Sequence, residues 1–319
     1  MPVELRSRPT GPGRRRSSLP AVGFSERAPQ QSIFRHILVA DISGAIDAGF
    51  LSYAAGIAAQ FAGARVRLVS VPSEPVLRSI SAVTQEIFGT LGVTGVSCHA
   101  LPESDLDALF AQARDFGAQL ILTQHPKGMP QWRKLTRRLM QETPCPLWLV
   151  PDQTPGMARS EGRAVVPVPS LHGDGVRLLN AAAAACRFLG IHEIVGVHVF
   201  FQDTLDSDGE VLARVQANTL LALHRLAAKV DWGGISYVPR VEESSRPVSA
   251  IQRVLRETKP NLLVFQAPPR SLGAVRKDFG ELVCQIDVPT LSFPAPNHGR
   301  PRGRDLLRAI FSNPEPSFG

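Results

Sequence analysis

Four groups of residues have types that could do chemistry, and their spacing decides against most of it. Gly173-Asp174-Gly175 follows an apolar run and precedes an alanine-rich stretch, where a dinucleotide-binding turn would sit. That turn needs a third glycine. Arg177 and Leu178 follow instead, so the segment reads as a helix entry with Asp174 near the N-cap. His192-Glu193 opens like a zinc-binding HExxH, but the fifth residue is Gly196. His198 shares a face with His192 if one strand holds both, which fits a strand surface or sheet end. Asp203, Asp206, Asp208, Gly209 and Glu210 are too closely spaced for a calcium loop with its late bidentate glutamate, and read as a turn into a helix. Cys98, Cys145, Cys186 and Cys284 lie far apart with no CxxC, the pattern of buried reduced thiols. With no nucleophile elbow, phosphate-loop lysine motif or ordered Ser/His/Asp set, the chain reads as a non-enzyme.

The elements that must carry these residues follow from composition and periodicity. The chain has 319 residues, 44% of them hydrophobic and 20% charged, enough for two ordinary globular domains. No apolar run approaches the roughly 18–20 residues of a membrane helix. The N-terminal arginines precede no apolar segment, so no secretory signal is read and the expected location is cytoplasmic. Residues 1–34 hold six arginines against Glu4 and Glu26, and so contribute +4 of the net charge of +7. They are rich in Pro, Gly and Ser and read as a disordered basic tail. Within it, Arg14-Arg15-Arg16-Ser17-Ser18 resembles a basic phosphoacceptor site, and the tail could touch acidic membranes or nucleic acid through counterion release. Residues 295–319 form a second Pro/Arg-rich tail, with a short helix expected at Arg304–Phe311.

Between the tails, short apolar strands alternate with helical patterns. In the first half, strands are expected at His36–Ala40, Arg65–Val71, Val96–Leu101, Leu120–Thr123 and Leu147–Val150. The helices between them are Ala48–Phe61, Pro75–Phe88, Asp105–Phe116 and Arg133–Gln141, with Gly63 as a C-cap and Ser104 as an N-cap. In the second half, strands fall at Ala164–Val168, Glu193–Val199, Ser236–Val241, Leu262–Phe265 and Thr290–Phe293. The helices there are Val176–Phe188, Gly209–Val230, Val248–Glu257 and Asp278–Gln285. Such βα alternation predicts doubly wound parallel sheets. The halves also repeat locally: Gln119–Gln124 recurs 142 residues on as Asn261–Gln266, and Pro146 recurs 143 residues on as Pro289. The expected plan is an α/β chain of two tandem domains, 35–151 and 163–294, joined by a linker at 152–162.

These residues resemble the universal stress protein family. The stretch HILVADISGAIDAGFLSYAAGIAAQFAGARVRLVSV is similar to the family's opening strand, turn and helix. DLDALFAQARDFGAQLILTQHPKG is similar to its third helix and fourth strand, and RRLMQETPCPLWLV to its closing helix and last strand. The resemblance covers residues 33–151 and, more weakly, 163–294. It implies that the two domains pair with each other through their last strands, as an intramolecular dimer, and it leaves a homodimer open. Family members that bind nucleotides carry an acid at the end of the first strand and a glycine loop after the fourth. Asp41 matches the acid. The loop departs from the pattern: Gly128 is its one matching glycine, Pro126 and Pro130 remove two N–H donors, and Arg133-Lys134 stands where Gly-Ser would. His125, Lys127, Arg133 and Lys134 could still offer charge to an anion, though they read first as a solvated helix end. In the second domain Pro167-Val168-Pro169-Ser170 has no acid, and Gln266–Gly273 has one glycine, so this domain reads as a non-binding partner of the first.

The leading expectation is a non-enzymatic regulatory or stress-response protein that acts through protein partners. One alternative is an ATP- or AMP-binding protein using Asp41, His125, Lys127, Gly128, Arg133 and Lys134. Another is an accessory subunit of a transporter or larger assembly, docked through the basic tail.

Overall fold

The apolar runs become strands covered on both faces, and their order in the chain is not their order in space. The structure is a computed structural model that describes residues 34–42, 47–70, 74–101, 105–125, 130–152, 162–200, 209–268 and 273–294. Phe34, expected in the disordered tail, is instead buried in the core against Phe61, with ring centroids 5.2 Å apart. Residues 1–33 and 295–319, with the helix at 304–311, Ser104, Lys127, Gly128, the segment 153–161 of the linker, and the aspartates of the acidic loop lie outside the described residues. The first half runs β1 (His36–Asp41), α1 (Ala48–Ala59), β2 (Arg65–Ser70), α2 (Glu74–Thr90), β3 (Gly95–Ala100), α3 (Leu106–Phe116), β4 (Leu120–His125), α4 (Pro130–Glu142) and β5 (Leu147–Pro151). The second runs β6 (Gly162–Pro167), α5 (Gly173–Leu189), β7 (Ile191–Phe200), α6 (Gly209–Ala227), β8 (Ser236–Glu243), α7 (Pro247–Thr258), β9 (Leu262–Gln266), α8 (Gly273–Gln285) and β10 (Thr290–Phe293). Every strand and helix expected between residues 36 and 293 is present.

All ten strands form one sheet in the order β3-β2-β1-β4-β5-β10-β9-β6-β7-β8. Each half contributes the same winding, and every pairing is parallel except β5 with β10, which is antiparallel. Successive side chains of a strand point to opposite faces, so Ile37 and Val39 enter one hydrophobic layer while Leu38 and Ala40 enter the other. The first layer also takes Leu51 of α1, Phe88 of α2, Leu179 of α5 and Leu223 of α6. The second takes Leu109 of α3, Leu139 of α4, Val254 of α7 and Leu282 of α8. Burial on both faces explains why the strands are apolar throughout rather than alternating.

The seam between the halves is nearly symmetric. Trp148 of β5, 1% exposed, stands directly opposite Leu291 of β10. The two occupy the same place in their halves, because Leu147 pairs with Ile121 of β4 as Thr290 pairs with Leu263 of β9. Helices α4 and α8 pack against each other across the seam. On the opposite face, Phe61 after α1 meets Phe188 of α5 with ring centroids 5.2 Å apart.

Local chemistry sets the helix ends, and several differ from expectation. Asp105, not Ser104, is the N-cap of α3, its carboxylate accepting from Asp107 N at 3.0 Å. The cap of α1 is Gln60 in right-handed geometry, and Gly63 takes its positive φ of 71° in the turn that follows. Helix α4 starts three residues before Arg133, at Pro130, where a proline costs no intrahelical bond. Helix α8 starts at Gly273 and α5 at Gly173, so glycines that suggest loops lie inside first turns. Helices α3 and α5 end on Gly117 and Gly190 in the left-handed region, with φ of 64° and 69°.

Candidate functional site

In an open wound sheet the carboxyl ends of adjacent strands part where the winding reverses, and ligands settle there. In this sheet those points are β1 beside β4 and β6 beside β9.

At the first point Asp41, Ser70, Thr123, Gln124 and Asp47 are all engaged in hydrogen bonds. Asp41 ends β1 and is 4% exposed. Ser70, its partner at the end of β2, donates its hydroxyl to Asp41 Oδ2 at 2.6 Å. Thr123 Oγ1 of β4 donates to the Ala40 carbonyl at 2.8 Å. Gln124 Nε2 donates to Asp47 Oδ2 at 2.9 Å, while Asp47 Oδ1 accepts from Phe50 N at 2.6 Å as the N-cap of α1. Asp47 therefore ties the end of β4 to the start of α1. Spacing alone does not reveal Ser70, Asp47, Thr123 or Gln124, because each is an ordinary residue type made specific by strand register.

His125, the last residue of β4, is fully buried, and among the described residues neither ring nitrogen has a hydrogen-bond partner. Burial lowers its pKa to about 4, and the carboxylate of Asp287 from the second half only partly opposes this. His125 is therefore neutral at physiological pH and offers no charge to an anion. Arg133 and Lys134 are exposed on α4. The structure thus brings Asp41 and His125 to neighbouring strand ends. Among the described residues, no hydrogen bond or ion pair joins Asp41 or His125 to Arg133 or Lys134.

The second point has the same frame and different chemistry. Strand register makes Val168 the counterpart of Asp41, and His198 the counterpart of Ser70. His198 is 2% exposed, its Nδ1 lies 2.8 Å from the Val168 carbonyl, and burial lowers its pKa. It shares β7 with the exposed His192. Gly175 is there for space: a Cβ on it would come within 2.1 Å of the Ser170 carbonyl oxygen and 2.9 Å of Leu226 Cδ1. Asp174 sits in the first turn of α5, so Gly173-Asp174-Gly175 is a helix entry closely packed on its own loop.

Elsewhere, Glu242 of β8 is 7% exposed and bridges Arg240 and Arg253, while Arg240 also reaches Glu257. Burial raises the Glu242 carboxyl, but the two guanidinium groups outweigh it and hold the pKa below the usual value. Cys145, Cys186 and Cys284 are buried and Cys98 is half-buried; all four are free thiols. Burial pushes Cys145 and Cys186 up to about 12, far from a reactive thiolate. Among the described residues no group of three His, Cys, Asp or Glu could hold a metal ion, and no helix is long and apolar enough to cross a membrane.

No protein-family model and no curated protein matches the chain. Solved structures do match. A universal stress protein from Archaeoglobus fulgidus superposes with a TM-score of 0.56 at 10% identity, covering 85% of this chain and 99% of its own. A candidate universal stress protein from Pseudomonas aeruginosa gives a TM-score of 0.59 at 14% identity, covering 82% and 93%. A functionally unknown protein, also from Pseudomonas aeruginosa, gives 0.57 at 15%, covering 82% and 92%. Coverage of more than four-fifths of this chain takes in both halves at once. The chain has the universal-stress-protein fold, in its tandem form.

Proposed function

We propose that this protein is a non-enzymatic regulatory or stress-response protein that acts through protein partners rather than through chemistry on a small molecule. One observation carries the reading: the acid that ends β1 at the winding reversal, Asp41, is buried and hydrogen-bonded to Ser70. The neighbouring Gln124 is likewise held by Asp47, and His125 is neutral. A nucleotide would have to displace these bonds and find its cations elsewhere. The counterpart end in the second half offers Val168 and a buried histidine.

A second reading keeps ATP or AMP as a ligand of the first half. It is favoured by the position of Asp41 at the carboxyl end of β1, with the exposed Arg133 and Lys134 on the helix that follows β4. Purification without added nucleotide, release of any carried ligand by denaturation, and calorimetry with ATP and AMP separate the two. The first reading expects no released nucleotide and no binding heat. Tight binding abolished by Asp41→Ala would establish the second.

A further inference from the structure

Helix α4 concentrates cations beyond the strand ends. Arg133, Lys134, Arg137 and Arg138 fall within six residues of this helix. Arg138 is paired with Glu142 at 3.0 Å and Asp107 at 3.5 Å. Arg133, Lys134 and Arg137 form no ion pair among the described residues, and Arg137 Nε is buried without a hydrogen-bond partner.

Helix α8 repeats the feature. Both helices have 13 residues, and Leu139 and Met140 of α4 are buried as Leu282 and Val283 of α8 are. On that alignment Arg276-Lys277 of α8 stands where Arg133-Lys134 stands in α4, and Gly280 stands where Arg137 stands. The two helices meet there, since a Cβ on Gly280 would lie 3.7 Å from Arg137 Cβ. At 1.5 Å of rise per residue, each Arg-Lys pair begins about 6 Å along its helix from this crossing. Neither helix has an acid in its first turn. Cations near a helix N-terminus oppose the helix dipole. The same Arg-Lys pair thus occupies matching backbone positions in the two helices that meet at the seam, and on α4, where Arg133 and Lys134 are exposed, an anionic partner would offset the cost.

We propose that the α4–α8 ridge at the seam is a docking surface for an acidic segment of a partner protein. This rests on the reading that the protein works through protein partners. Carboxylates suit the ridge better than polyphosphate because acids are interleaved with the cations. Asp107 and Glu142 flank Arg138, and the exposed Asp278 follows Lys277. A uniformly charged nucleic-acid backbone meets repulsion there, whereas a mixed protein surface can place its own cations opposite these acids.

The test uses the full chain and a fluorescein-labelled oligoglutamate peptide, with anisotropy read at low salt. The wild-type protein is expected to bind, and binding to fall as salt rises. Arg133→Glu with Lys134→Glu should weaken it by about tenfold or more. Arg225→Glu with Lys229→Glu, at exposed positions on the second half, should change it by less than about twofold. Circular dichroism confirms that each variant is folded. The proposal is overturned by no binding at low salt, by an unchanged affinity in the α4 variant, or by equal losses in both variants. Tighter binding of single-stranded DNA than of peptide would also overturn it. Nucleotide heat in the calorimetry would sink the partner-protein reading but leave the peptide result standing, so the two failures can be told apart.

Discussion

The two halves share a frame and differ at its working end. Both wind five strands in the same spatial order, and both put a buried polar residue at the matching register position of the second strand, Ser70 in one and His198 in the other. Ser70 meets a carboxylate, Asp41; His198 meets the backbone carbonyl of Val168. The first half has a buried polar side chain that must be hydrogen-bonded, while the second has an apolar side chain there that needs no partner. Hydrophobic layering and strand register set the frame. What occupies the strand ends can diverge without disturbing either layer.

The largest expected effect lies where the halves join. Trp148→Ala should destabilise the protein by about 3–5 kcal/mol in urea unfolding, as a large ring is removed from the seam. A loss confined to one half, with two separate transitions, would break the picture of one sheet. Next, Ser70→Ala should cost about 1.5–3 kcal/mol, because it removes a hydrogen bond to a buried carboxylate. A neutral result would show that Asp41 is held by something else. Gly175→Ala should cost about 1–3 kcal/mol, since the obstacle is backbone that cannot move aside cheaply. Gly173→Ala, with open space around it, should stay within about 0.5 kcal/mol. Similar values for the two glycines would contradict the packing at the start of α5.

The remaining effect is in pH, and it builds up across the acid limb. His125 titrates near 4 when folded, against 6.5 for an ordinary histidine. Between these values the unfolded chain takes up a proton and the folded chain does not. The stability from neutral His125 is therefore complete above about pH 6.5 and is lost as pH falls towards 4, by at most about 1.4 kcal/mol per pH unit. His198 acts in the same direction. His125→Gln should flatten the acid limb measured by thermal melts, and an unchanged limb would place the histidine in water.

Much of the fold is written in the sequence because strands buried on both faces must be apolar. Runs such as Ile37–Ala40 and Leu120–Leu122 have no other comfortable place. Helix starts are less legible. Pro130, Gly173 and Gly273 look like loop residues, yet proline and glycine are tolerated in a first turn, where backbone N–H groups have no intrahelical partner. The site is harder still. Type and spacing make His125 a cation, and only its position at the end of an apolar strand hints that burial removes the charge. The hold of Ser70 on Asp41 depends on the register of β1 with β2, which no local pattern encodes.

Hydrogen exchange at the carboxyl ends of β1 and β4, with and without saturating ATP, bears most directly on the claim that Asp41 is a structural acid rather than a ligand contact. Unchanged exchange across residues 39–42 and 120–125 is the expected result. Slowing of those amides by ATP in the wild type, lost in Asp41→Ala, would contradict it.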